Sequence, residues 1–221
     1  DRFGLIDENG SYINPLQVFA LLALYLLEVK GQRGALIKSL TSSNMIYKLG
    51  DLFGVSVVET PVGFKYIGPA MTKEDALIGG EESGGFGFRG HIPERDGILS
   101  GLFIVDMMVK MKKKPSQLIE YLHSKVGTHY YRRCDVSFDA SRRNIILEKI
   151  SSISIRSMGA MGGINISRVD QLDGTRLLLE DGSWLAIRFS GTEPLLRIYS
   201  ESNSNDRVDI LISEARNLIG V

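Results

Sequence analysis

The strongest constraint on the fold is a helix with no polar side. Asn14-Pro15 is a helix start, with Asn14 as N-cap and Pro15 at the first helical position, where a missing N–H costs nothing. Residues 16–29 continue it, and residues 18–27 are apolar without a break. A surface helix shows one apolar stripe, whereas one that is apolar all round has to be covered all round. Ten residues are too few to cross a bilayer, which takes about 20. The helix therefore belongs in the interior of a folded domain.

The flanking segments supply a layered setting for it. Residues 3–7, 34–37, 55–60 and 77–79 read as short strands, and Asn9-Gly10 marks a turn after the first. Residues 42–53 read as a helix, with Met45, Ile46, Leu49 and Phe53 at helical spacing. Residues 66–71 and 73–76 read as one short helix or two, followed by helices at 96–112 and 116–124. Strands alternating with helices predict a βαβ-type sheet covered by helices. The rhythm changes near residue 125. Residues 128–138 are extended and 141–150 helical. Four strands follow at 164–171, 175–180, 184–189 and 195–200, with Asp173-Gly174 and Asp181-Gly182 as hairpin turns. Residues 206–219 close the chain as an amphipathic helix with Val208, Leu211, Ile212, Ala215, Leu218 and Ile219 on one face. This is the pattern of a small α+β domain, so a boundary falls at about residue 125, and Gly127 is a hinge candidate.

Composition narrows the function classes. Lysine plus arginine total 26 and aspartate plus glutamate 26, a balance that favours neither nucleic acid nor an anionic membrane as partner. The single cysteine, Cys134, excludes an internal disulfide and a cysteine-based zinc cluster, and fits a cytoplasmic setting. His91, His123 and His129 show no metal-ligand spacing. Glycine is in excess, at 24 of 221 residues, and it gathers where chemistry-bearing side chains gather.

Five segments carry those side chains. Gly79-Gly80-Glu81-Glu82-Ser83-Gly84-Gly85-Phe86-Gly87 sets two carboxylates and a hydroxyl among glycines, as a sugar-binding loop would, or a mobile linker. Arg188-Phe189-Ser190-Gly191-Thr192-Glu193-Pro194, with Arg197 nearby, offers a guanidinium fork, hydroxyls and a backbone nest to a phosphate, or is an ordinary hairpin loop. It lacks the spacing of a P-loop. Thr60-Pro61-Val62-Gly63-Phe64-Lys65 presents Lys65 beside a tight turn. Lys38-Ser39-Leu40-Thr41-Ser42-Ser43 precedes a helix, either as an anion site or simply as its cap. His91-Ile92-Pro93-Glu94-Arg95-Asp96-Gly97 could bind substrate or move protons, and Asp96 could equally cap the helix that follows.

In this order and spacing the segments resemble the α-D-phosphohexomutase superfamily of phosphoglucomutases and phosphomannomutases. Gly80-Glu81-Glu82-Ser83-Gly84-Gly85 resembles its sugar-binding loop and residues 188–194 its phosphate-binding loop. Asp1-Arg2-Phe3-Gly4 looks like the tail of its Asp-x-Asp-x-Asp-Arg magnesium loop. The resemblance implies the C-terminal half of a four-domain enzyme. Residues 1–13 would end the second domain. Residues 14–125 would form a mixed α/β third domain, and residues 126–221 an α+β fourth domain related to the TATA-binding-protein fold. The implied reaction interconverts hexose 1-phosphate and hexose 6-phosphate through a phosphoserine and a hexose 1,6-bisphosphate. Carried over by position, Glu81 and Ser83 would hold ring hydroxyls. Arg188, Ser190, Gly191 and Thr192 would hold the phosphate that is not transferred, with Lys65 and Lys38 near a phosphate. Asp1 would be one of three Mg2+ ligands. The implied partners are hexose phosphates: glucose 1-phosphate, glucose 6-phosphate and mannose phosphates. The phosphoserine loop and two magnesium aspartates are not in the sequence, so no catalytic nucleophile is expected here and the fragment should be inactive alone, with Mg2+ held by the longer parent. The alternative is a non-catalytic sugar-phosphate-binding protein.

Overall fold

The computed structural model describes residues 1–191, 193 and 195–220. The chain divides into two compact units, Asp1–Thr128 and His129–Val221.

In the first unit a short hairpin, β1 (Leu5–Ile6) and β2 (Tyr12–Ile13), turns at Asn9-Gly10 and leads into α1 (Pro15–Leu24). The start of α1 is the expected one. The Asn14 side chain accepts from the Gln17 N–H, and the Gln17 side chain accepts from the Asn14 N–H, a reciprocal capping box. Every residue from Val18 to Leu24 is fully buried, as an all-apolar helix requires. The helix does not run straight to Val29. It widens into a π-turn at Tyr25–Val29, where the Tyr25 hydroxyl donates to Asp106 on α4 (Gly97–Met111).

The sheet of this unit has the order β4 (Val57–Thr60), β3 (Leu36–Ser39), β5 (Ile78–Gly80), β6 (Phe86–Phe88). The first three strands are parallel and β6 is antiparallel to β5, with Gly80 opposite Phe86. Strand β6 corrects the expectation of one long glycine loop: both ends of the cluster pair as strands, and only residues 81–85 connect them. Helices α2 (Met45–Phe53), α3 (Phe64–Lys73) and α5 (Pro115–Val126) complete the layers. The expected helix or helices over residues 66–76 resolve into one, α3, which starts earlier at Phe64, tolerates Pro69 inside it and ends at Lys73, residues 74–76 leaving it in a turn. Two glycines show how tightly the layers close on β5. A Cβ at Gly79 would lie 2.5 Å from Met71 Sδ on α3, and one at Gly80 would lie 2.8 Å from the ring of Phe19 on α1. Helices thus press on this strand from both faces.

The second unit holds one antiparallel sheet, in the order β7 (Tyr130–Ser137), β12 (Leu195–Ser202), β11 (Trp184–Phe189), β10 (Thr175–Leu179), β9 (Ile164–Asp170), β8 (Ala160–Met161). Its core joins Leu177, Leu185, Ile187, Leu196 and Ile198 of the sheet to Ile146 and Ile150 of α6 (Arg143–Ser151) and to Val208, Leu211, Ala215 and Ile219 of α8 (Asn205–Ile219). A single-turn helix, α7 (Ile155–Met158), and strand β8 are additions to the expected pattern. Among the described residues no helix is long and apolar enough to cross a membrane.

Candidate functional site

The three parallel strands of the first unit end on one edge of the sheet, and each ends in a segment singled out above. In open α/β sheets ligands bind outside the carboxyl ends of the strands. After β5 comes the hairpin 81–85, closed by Glu81 N–H to Gly85 O (3.1 Å) and Gly84 N–H to Glu81 O (3.2 Å). Glu81 is only 5% exposed, and its Oε2 accepts from Ser83 Oγ at 3.2 Å. Burial, and then the neighbouring Glu82 carboxylate, push the Glu81 carboxyl above its ordinary value, against the pull of Ser83, Arg95 and Arg2. A carboxyl of this kind with a hydroxyl beside it can both accept from and donate to sugar hydroxyls. Glu82 turns to another partner, accepting from Thr41 Oγ1 at 2.9 Å.

After β4, Gly63 takes φ +128°, which favours glycine, and Lys65 stands exposed in the first turn of α3 with its ammonium 5.0 Å from the Tyr66 ring centroid. Lys38 is placed differently. It is fully buried, with Nζ 3.2 Å from Glu59 Oε2 and 4.6 Å from the Tyr47 ring centroid, while Tyr47 donates to the same carboxylate. Its charge is met inside the domain, so a phosphate role would require it to exchange Glu59. The hydroxyls of Ser39, Thr41, Ser42 and Ser43 are also buried and bond to one another or to backbone.

Arg95 gains weight from the structure. Its guanidinium lies 5.8 Å from the Phe64 ring centroid and 3.5 Å from Asp1 Oδ2, and a Cβ at Gly85 would strike its side chain. It therefore lies across the Glu81 hairpin, a placement that residues 91–97 as a string could not show. Asp96 caps α4, accepting from Leu99 N–H at 2.9 Å, and its other oxygen meets His91 Nε2 at 2.9 Å. The capping role foreseen for it is real. Asp1 does not fit a magnesium site by itself: its carboxylate faces Arg95, and among the described residues no three metal-ligating side chains cluster.

In the second unit, Arg188, next to last in β11, pairs with Arg197 on β12, so the two residues share a face of the sheet near loop 190–194. Arg188 Nη2 lies 3.0 Å from Asp173 Oδ2. Burial works against its charge, but Asp173, with the Tyr199 hydroxyl, outweighs burial and raises its pKa. The Nε atoms of both Arg188 and Arg197 are buried with no hydrogen-bond partner among the described residues. Arg197 Nη2 reaches Glu193 Oε2 at 3.5 Å, and Asp135 sits opposite Arg197 on β7. Ser190 is buried, its N–H donating to Leu195 O at 2.8 Å, while Gly191 is exposed with open space around it. Thr192 and Pro194 lie outside the described residues. Guanidinium groups are donors suited to oxyanions. Asp173 sits at the turn before β10, and nothing in its local sequence marks it as the partner of Arg188.

Comparison with known proteins bears on both units. Residues 14–126 match the family model for phosphoglucomutase/phosphomannomutase, alpha/beta/alpha domain III, and residues 146–218 the model for the C-terminal domain of the same family. A phosphoglucomutase/phosphomannomutase of Thermococcus kodakarensis is 32% identical over 94% of this chain and 42% of its own length. A phosphoglucomutase of Komagataeibacter xylinus is 30% identical over 91% of this chain and 39% of its own. Archaeal and bacterial phosphoglucosamine mutases match at 24–28%. A crystal structure from Thermus thermophilus, provisionally described as a phosphomannomutase, superposes with a TM-score of 0.81 at 34% identity, covering 100% of this chain and 44% of that one. The Aspergillus fumigatus N-acetylphosphoglucosamine mutase solved with GlcNAc-6P and magnesium shares the fold at 14% identity and a TM-score of 0.63, over 98% of this chain and 49% of that one. The chain spans less than half the length of each of these relatives.

Proposed function

The chain belongs to the phosphoglucomutase/phosphomannomutase family, and on that footing we propose that it supplies the sugar- and phosphate-recognition half of a phosphohexomutase. The observation that carries the reading is the buried Glu81 carboxyl bonded to Ser83 at the carboxyl end of the parallel strands. Chemically it suits the vicinal hydroxyls of a hexose.

Glu81 and Ser83 hold ring hydroxyls in this reading. Arg188, Ser190, Gly191 and Thr192 hold a phosphate that is not transferred, and Arg197 adds to their field. Lys65 is an exposed cation just after β4, and Lys38 takes part only if it leaves Glu59. The parent reaction moves a phosphoryl group from a serine outside this chain onto hexose 1-phosphate or hexose 6-phosphate. The resulting hexose 1,6-bisphosphate turns over, and its other phosphoryl group returns to the serine. Magnesium bound in the parent would offset charge on the group in transit. This chain's own residues bind and orient, and without a nucleophile they do not lower the barrier of the chemical step. The purified chain is therefore expected to show no mutase turnover.

The test is calorimetric titration with glucose 1-phosphate, glucose 1,6-bisphosphate and mannose 1-phosphate, repeated for Arg188→Ala and Glu81→Ala. The reading expects Arg188→Ala to weaken every ligand and Glu81→Ala to weaken each according to its sugar. Binding that neither substitution changes would sink it.

A further inference from the structure

We infer that Thr41 is a positioning residue for the Glu81–Ser83 hairpin, its hydroxyl tying the Glu82 carboxylate to the turn after β3 and so fixing where Glu81 and Ser83 stand. The inference rests on the sugar-binding reading of that hairpin. Thr41 is fully buried and donates to Glu82 Oε2 at 2.9 Å. The donor is itself held: Ser39 Oγ lies 3.4 Å from Thr41 Oγ1 and 3.0 Å from Ser42 Oγ, and Ser42 N–H donates to Ser39 O at 2.9 Å. All four residues of β3 are buried, between β4 and β5, so the anchor follows a central strand.

The hairpin backbone is held by β5 and β6 and by Phe3 N–H donating to Gly84 O at 2.9 Å, whereas the Thr41 bond holds the side chain of Glu82. Glu81 and Ser83 bond to each other, and that bond does not hold the pair to the sheet. Glu82 lies between them in sequence and bonds to Thr41 in the turn that follows β3. A hydroxyl given to a carboxylate is a charge-assisted bond, stronger than a neutral one. Small displacements of a binding group matter, because a site about 1 Å out of place loses much of its effect. The tie also keeps a second carboxylate beside Glu81. The charged and titratable groups acting on Glu81 are Glu82, which raises its proton affinity, and Arg95 and Arg2, which lower it. The hydroxyls of Ser39, Thr41 and Ser42 thus find a use other than anion binding or capping, while Ser43 Oγ accepts from Met45 N–H at the start of α2.

Three variants test this. Thr41→Val removes the donor at constant shape, Thr41→Ser keeps it, and Glu82→Gln keeps an acceptor without the charge. The readouts are the glucose 1-phosphate Kd and the 13C-carboxyl NMR titration of Glu81 in the unliganded chain. Thr41→Val should weaken glucose 1-phosphate about fivefold to tenfold, the scale of one hydrogen bond, and Thr41→Ser should restore it. The Glu81 midpoint should fall in Thr41→Val and Glu82→Gln and stay in place in Thr41→Ser. If Thr41→Val does not fold, Glu82→Ala removes the tie from its other end and is read in the same way. An unchanged Glu81 midpoint and an unchanged Kd in Thr41→Val, with Glu81→Gln still weakening the ligand, would overturn the inference and leave the sugar reading standing. A Glu81→Gln variant that binds like the wild type would instead remove the sugar reading.

Discussion

Gly80→Ala gives the sharpest test of the packing that supports the Glu81 hairpin. The added methyl would lie 2.8 Å from three atoms of the Phe19 ring, where ordinary carbon contacts sit at about 3.5–4.0 Å. The ring cannot simply rotate away, since it is stacked on Phe86 with centroids 5.6 Å apart and 23° between planes. Retreat by the strand is blocked as well, because Ile67 and Met71 already press on Gly79 from the other face. Overpacking a filled core costs about 1–3 kcal/mol, and with both partners rigid the upper part of that range, about 2–3 kcal/mol, is expected. With a urea m-value of about 1–3 kcal/mol/M, the unfolding midpoint should fall by roughly 1 M. Far-UV ellipticity is the suitable probe, because the only tryptophan, Trp184, reports on the second unit. Phe19→Leu in the same background should return part of the loss, with a coupling of about 1 kcal/mol or more. A Gly80→Ala midpoint that stays at the wild-type value would refute the close-packing argument.

Two further outcomes are expected. Glu81 carries a raised pKa in the fold, so its ionised form destabilises the folded state at neutral pH. Glu81→Gln should therefore stabilise the chain at pH 7, and the gain should vanish as the pH falls below the ordinary carboxylate range; urea titrations at pH 7 and about pH 4 decide it. Asn14→Ala breaks the capping box at the head of α1 and should cost about 1 kcal/mol by chemical unfolding, whereas Asn14→Asp should keep most of the stability.

What could be read from sequence was local. Asn14-Pro15 starts its helix through a bond made within four residues, and strand Trp184–Phe189 runs between an Asp-Gly-Ser turn and a Ser-Gly turn that each mark an end. The β6 strand, Phe86–Phe88, escaped notice because three residues among glycines carry no period, and it exists only because β5 lies beside it. The π-turn at Tyr25–Val29 has no sequence marker. In the site, the residue types of Glu81, Ser83 and Arg188 spoke for themselves, but their partners did not. Thr41 meets Glu82 from a distant segment, and Asp173 meets Arg188 from a turn. Lys38 looked available because its neighbours Ser39 and Thr41 are polar. Its burial depends on Glu59, one strand away.

The sheet order of the second unit also bears on how that unit assembles. Strands β9 to β12 follow one another as hairpins, each pairing with its sequence neighbour, so they can form from short-range contacts. Among the described residues strand β7 pairs only with β12, which requires closing the chain from Ser137 round to Leu195. Closing a longer loop costs more entropy and slows the pairing that depends on it. Pairing of β11 with β12 alone sets Arg188 opposite Arg197, whereas Asp135 comes opposite Arg197 only through β7. The acids that meet these two arginines, Asp173 and Glu193, lie within the meander itself, so both charges find a partner by short-range closure, without β7.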